Sequence, residues 1–215
     1  MTIALETFQA TTPINITRLQ EELQHHPDKE FVDYLINGLC YGFHTGLSHQ
    51  PISSFECKNL VSATSEPDVV DVLLEYELYK NYLIGSFESP QFPIFPISAL
   101  GVVQSKYSGK YRLIVDLLVP HSSLEHESIN VLMSKDDFSL SYVKIDNVIH
   151  ILVQLGMGAN MCKTDITDAF KLIPMLPSLW PLYGVKWRNK YYFCTKLVFG
   201  SRSSPKIFEK LSRVI

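Results

Sequence analysis

The sequence predicts an α+β fold, and three observations predict it. Apolar residues recur at helical spacing through the first third, the period shifts toward strand-like after about residue 97, and an amphipathic helix closes the chain. With 215 residues, 46% hydrophobic and 12% aromatic, the chain has material for one substantial domain or two small ones, and disorder as the default state is excluded. Cys40, Cys57, Cys162 and Cys194 are scattered without metal-ligand or CxxC spacing, and no basic leader precedes them. They read as free thiols in a reducing compartment. No segment approaches the eighteen or so apolar residues of a membrane span, so an intracellular chain, cytoplasmic or nuclear, is expected.

Residues 14–46 predict two helices broken near Pro27. The second is capped by Asp28 and carries Phe31, Leu35, Leu39 and Phe43 four apart. Ser65-Glu66-Pro67 starts a third helix, with Val69, Val70, Leu73, Leu74 and Leu78 as its stripe. Three prolines make 85–98 an extended connection. ALGVVQSK and KYRLIVDLL then form a β-hairpin turning near Ser108-Gly109. Residues 119–142 are polar and irregular. VKIDNVIHILVQLG predicts a helix with Ile145, Val148, Ile149 and Leu152 on one face, stopping at Gly156. ANMCKTD, PLYGVKW and KYYFCTKL predict strands of an antiparallel sheet, the last two joined by a turn at Arg188-Asn189. FGSRSSP leads into the closing helix.

Charge is unevenly spread. Residues 1–100 hold 4 Lys/Arg against 13 Asp/Glu, a net of −9, and 101–185 hold 7 against 8. Residues 186–215 hold 8 against 1, a net of +7, interleaved with Trp187, Tyr191, Tyr192 and Phe193. A basic, aromatic-rich end suits phosphate contact and base stacking; a solvated sheet edge followed by an amphipathic helix has the same composition.

Three elements follow in order: KYRLIVDL with Arg112, KTDITDAF with Asp165 and Asp168 at a strand end, and LVFGSRSSPKIF with a Gly-Ser turn opening a helix. Nucleotidyl transfer needs such parts. Carboxylates hold a divalent metal at the triphosphate, a cation offsets phosphate charge, and a glycine turn shapes the base-pair pocket. Taken alone, the two aspartates could equally be a helix cap or a solvated turn, and Arg112 an ordinary strand-edge cation.

The order resembles the fingers and palm of a reverse transcriptase. The resemblance implies that Arg112 contacts the triphosphate with Lys106 and Lys110 facing phosphate, and that Asp165 is the catalytic metal ligand. It further implies that Asp168 lies near the triphosphate and that Phe170 is the steric gate at the sugar. Phe199, Gly200 and Pro205 would support template and incoming base. The segment FSLSYVKIDNVIHILVQLGMGANMCKTDITDAF and its continuation to KIFEKLSR is similar to DIRS-like retrotransposons, which pair a reverse transcriptase with a tyrosine recombinase. TPINITRLQEELQHHPDKEFVDYLINGLCYGF and VPHSSLEHESIN are similar too, so the resemblance runs from about Thr12 to Ile215.

The resemblance implies an N-terminal helical region over 1–84, fingers with the β-hairpin over 85–142, and a partial palm over 143–215. The expected partners are an RNA template with a DNA primer and a dNTP, with no membrane; a parent element would supply RNase H and recombinase modules. The family's Y-x-D-D hairpin is not reached by Ile215, and Asp136-Asp137 in MSKDDFSL read as a turn or helix start. Mg²⁺, or Mn²⁺, is therefore expected only where further carboxylates complete the site, and the 215 residues alone are expected to be inactive. The rival expectation is a non-catalytic nucleic-acid-binding or interaction fragment, or a pseudogene product. Ser203-Ser204 reads as a helix N-cap, and the histidines lack metal-ligand spacing.

Overall fold

Asn15 and Asp28 start the first two helices as their side chains dictate. In the computed structural model, which describes residues 9–49, 51, 53–121, 123 and 125–214, Asn15 Oδ1 accepts from Arg18 N–H at 2.9 Å and opens α1 (Ile16–Glu22). Asp28 Oδ1 accepts from Phe31 N–H at 2.9 Å and opens α2 (Lys29–Tyr41). Leu35 and Leu39 are buried on α2, and Phe43 continues the stripe past its end, while Phe31 is half-buried. After the short α3 (Val61–Thr64), Pro67 occupies the first turn of α4 (Pro67–Tyr79), which buries Val70 and Leu74. The stripes expected on α2 and α4 thus face the core, with Val69, Leu73 and Leu78 half-buried.

The strands join into one five-stranded mixed sheet. Its members are β1 (Leu83–Phe87), β2 (Ile97–Gln104), β3 (Tyr111–Asp116), β4 (Gly184–Trp187) and β5 (Lys190–Cys194), in the order β1-β5-β4-β2-β3. The first three residues of the expected proline-rich connection continue β1, and Pro90, Pro93 and Pro96 fall outside the strands. Arg188 and Asn189 both take positive φ, 45° and 61°, as a two-residue β-hairpin turn requires.

The sheet is not purely antiparallel. β2 runs parallel to β4, with Ile97 opposite Gly184, so the β2–β3 hairpin and the C-terminal strands are continuous. Gly184 makes that join possible: a Cβ there would meet Ile97 Cδ1 at 2.6 Å and Pro96 O at 3.0 Å. α4 packs on the sheet over the main core. A second cluster unites α1 and α2 with Ile173, Leu197 and the closing helix α6 (Ser204–Ser212).

One expectation is corrected. The helix expected over 143–156 forms as α5 (Ile145–Leu155) but buries no residue, and residues 159–165 are irregular and exposed where a strand is expected. A strand must pair its N–H and C=O groups, and among the described residues nothing lies alongside 159–165 to pair them. Among the described residues no helix is long and apolar enough to cross a membrane.

Candidate nucleotide and nucleic-acid site

The best-held part of the site is the glycine turn. Gly200 has φ +97°, and a Cβ there would stand 3.0 Å from Val115 O, so the turn lies against the backbone of β3. Asn130 clamps it from the irregular segment: its Nδ2 donates to Gly200 O at 2.7 Å, and its Oδ1 accepts from Arg202 N–H at 2.8 Å. Asn130 was not visible as functional in the sequence, because its partners lie 70 and 72 residues away. Pro205 stands in the first turn of α6. Ser203 takes the expected N-cap position, its carbonyl accepting from Lys206 and Ile207 N–H, but its side chain makes no capping bond: its Oγ lies 3.2 Å from Ser201 Oγ, while Ser204 Oγ donates to Val198 O.

The DITDAF stretch meets this turn through its aromatic residue. Phe170 lies in a 3₁₀ turn, Ala169–Leu172, and its ring packs on Phe199 at 4.6 Å between centroids and on Phe208 at 5.8 Å. Asp168 precedes it in the left-handed region, φ 53°, a conformation that aspartate tolerates better than most residues, and its carbonyl accepts from Lys171 N–H at 2.7 Å.

The carboxylate of Asp168 accepts a long bond, 3.5 Å, from Tyr82 Oη. Burial, and then the Asp168 charge, push the Tyr82 phenol up to about 12. Beside it Lys171 Nζ bonds Glu77 Oε2 at 2.6 Å, with both side chains mostly buried, and lies 5.6 Å from the Tyr82 ring centre. The 168–172 turn is therefore pinned to the junction of α4 and β1. Lys171, Glu77 and Phe199 also line a recess of about 20 Å³ with Leu113 and Val115 of β3, room for roughly one water.

Asp165 is placed differently. It is exposed on the irregular segment, with no regular element holding it. Among the described residues no three His, Cys, Asp or Glu side chains gather as a metal site. A pair of metals about 3.5–4 Å apart needs several carboxylates, so the donor set described here does not fit a divalent-metal centre by itself. Asp136 and Asp137 form a turn, with Asp136 O accepting from Ser139 N–H and Ser134 Oγ accepting from Asp137 N–H.

Arg112 is exposed as the second residue of β3, near its hairpin end and opposite Val103. Strand alternation sets it on the face opposite Leu113 and Val115. Lys106 and Lys110 are exposed at the hairpin end. None of these three cations has an ion-pair partner among the described residues.

The C-terminal basic stretch behaves otherwise, and the stacking expectation for it is corrected. Lys186 bonds Glu56 at 2.6 Å, Arg188 bonds Asp71 at 2.5 Å and Lys190 lies 3.5 Å from Glu88. Lys210 sits over the Tyr34 ring, Arg213 bonds Glu209, and Arg202 and Lys206 donate to the carbonyls of Met133 and Ser139. Lys196 is buried and donates to the carbonyl and hydroxyl of Thr11. Trp187, Tyr191, Tyr192 and Phe193 are all buried. The acidic N-terminal half neutralises much of this stretch, and core packing consumes its aromatics.

No protein-family model matches the chain, and no curated protein matches it. Solved structures do. The foamy viral protease-reverse transcriptase in complex with RNA/DNA hybrid aligns with a TM-score of 0.52 at 14% identity, over 99% of this chain and 28% of that one. The same protein in complex with dsDNA gives 0.49 at 12% identity over 96% and 41%, and the native prototype foamy virus protein 0.47 at 14% over 95% and 27%. The chain thus spans less than half the length of each. The first of these alignments shows that the chain has a reverse-transcriptase-like polymerase fold.

Proposed function

We propose that these residues are the fingers and part of the palm of an RNA-directed DNA polymerase of the DIRS-like retrotransposon kind, binding an RNA template, a DNA primer and a dNTP. The observation that carries this reading is the contact of Phe170 with Phe199. Two stretches that resemble separate polymerase motifs, 29 positions apart, put their aromatic rings 4.6 Å from one another, beside a Gly200 turn held against the arginine-bearing strand. In this reading the bulk of Phe170 excludes a ribose 2′-hydroxyl, and Phe199, Gly200 and Pro205 shape the base-pair pocket. Arg112, Lys106 and Lys110 meet phosphate, and Asp168 lies beside the triphosphate.

Asp165 would hold one position on Mg²⁺ or Mn²⁺, and such an ion, with its ligand set completed by further carboxylates, would supply Lewis-acid chemistry at a phosphate. The remaining ligands would have to be carboxylates that the described residues do not gather beside it. Primer extension tests this directly: the 215 residues alone should incorporate no dNTP, and extension by them would overturn the claim of an incomplete centre. A polypeptide supplying further carboxylates should extend primers, lose that activity on Asp165→Asn, and accept ribonucleotides more readily on Phe170→Ala. The rival reading, a non-catalytic nucleic-acid-binding fragment, shares the exposed hairpin cations and gains support if no longer polypeptide is active.

A further inference from the structure

Tyr107 is the most conspicuous side chain that the reading above leaves without a task. It stands at the tip of the β2–β3 hairpin with 103% relative exposure, and its ring has no partner among the described residues. The tip beneath it is tightly bonded. Ser105 N–H donates to Lys110 O and Gly109 N–H to Ser105 O, both at 2.9 Å. Gln104 Nε2 donates to Gly109 O at 3.0 Å, and Gly109 takes φ +66° to close the turn. The ring is therefore presented on a bonded turn at the end of an eight-residue strand, with both aromatic faces in water.

Its electrostatic setting is one-sided. Residues 101–115 contain Lys106, Lys110 and Arg112 and no acidic residue. This contrasts with the C-terminal stretch, whose aromatics are buried and whose Lys186, Arg188 and Lys190 meet acids of the N-terminal half. An exposed ring beside uncompensated cations is the composition of a single-strand stacking platform: the ring takes the face of a base and the cation its phosphate. Duplex ends aside, base faces are free only in unpaired strand, so the ring selects unpaired over paired nucleic acid.

We infer that the hairpin tip is a docking point for single-stranded RNA, with Tyr107 stacking on an unpaired base and Lys106 meeting the adjoining phosphate, while Lys110 and Arg112, set further back, remain for the triphosphate. This inference rests on the proposed function, whose template would extend unpaired beyond the duplex.

Equilibrium binding of a labelled single-stranded RNA, and of a blunt RNA/DNA hybrid of the same sequence, tests it on the whole chain. Tyr107→Ala should weaken single-strand binding about tenfold, as loss of one stacked base does, leaving hybrid affinity and the salt dependence of binding unchanged. Lys106→Ala should instead lower the salt slope by about 1. Tyr107→Trp should keep the affinity and place an exposed indole whose fluorescence the RNA quenches, since Trp180 and Trp187 are buried. Unaltered single-strand affinity in Tyr107→Ala, or an equal loss on the hybrid, overturns the inference and leaves the proposed function standing. Absence of binding to both nucleic acids by the unaltered chain overturns the two together.

Discussion

Two basic regions of this molecule have opposite fates. The stretch 186–213 carries eight cations, and each is engaged: by carboxylates, by backbone carbonyls, by an aromatic ring or, for Lys196, by Thr11 in the interior. The hairpin carries three, and none is paired among the described residues. Counting charge along the sequence favours the first as a phosphate surface; the fold favours the second. The availability of a cation depends on what the tertiary structure sets beside it. Here Glu56, Asp71 and Glu88, 100 or more residues away in sequence, face the strands β4 and β5.

Lys196 offers the largest effect with which to break this contrast. It is buried without a carboxylate, and burial lowers its ammonium pKa to about 8 from 10.5. Between about 8 and 10.5 this group binds more protons in the unfolded chain than in the folded one, so its contribution to stability should rise with pH. Above about 9 the Cys194 thiol, which burial pushes up to about 12, acts in the opposite sense, so the rise should show between about 8 and 9. Lys196→Met should abolish the rise, and by the size of the shift stabilise the chain at neutral pH by up to about 3 kcal/mol, less what the bonds to Thr11 contribute. Chemical denaturation of both chains at a series of pH values checks this; a stability difference between the unaltered chain and Lys196→Met that does not change from about pH 8 to 9 would contradict the assignment.

Asp71→Ala comes next. It removes the acceptor of Trp187 Nε1, at 2.7 Å, together with the Arg188 partner. Leaving a mostly buried indole N–H unsatisfied should cost about 1–2 kcal/mol in denaturant unfolding. Glu56→Gln should cost less, on the order of 1 kcal/mol or below, because the Glu56–Lys186 pair is about a third exposed. The smallest effect on stability should come from Lys106→Ala, Lys110→Ala and Arg112→Ala together. Exposed and unpaired, they should shift unfolding by no more than about 0.5 kcal/mol while weakening nucleic-acid binding.

The legible part of the fold is the local part. Asp28 followed by a stripe four apart, Pro67 at a helix start and Arg188-Asn189 between two apolar runs each carry their geometry within a few residues, and each forms as expected. The parallel join of β2 to β4 was not legible, because it depends on Gly184 meeting Ile97 across 87 positions.

The candidate site divides the same way. Gly200 and Phe170 are recognisable from their motifs, but the clamp by Asn130 and the Lys171–Glu77 pair are long-range and silent in sequence. Residues 159–165 show the reverse failure: their composition suits a strand, yet a strand exists only with a neighbour to bond. α5 repeats the lesson in apolar surface, since Ile145, Ile149 and Val153 form a helix that leaves them exposed.

The most direct test of this account measures the affinity of the chain for an RNA/DNA hybrid primer-template as salt is varied, beside two triple variants. The unaltered chain should bind with a clear salt dependence. Lys106→Ala with Lys110→Ala and Arg112→Ala should reduce the salt slope by about 1, the Lys106 contact, since Lys110 and Arg112 are kept for the triphosphate. Lys186→Met with Arg188→Met and Lys190→Met should lose stability but keep the slope. A slope that falls with the second triple and not with the first, or hybrid that does not bind at all, would contradict the claim that the hairpin is the nucleic-acid surface of a reverse-transcriptase-like fold.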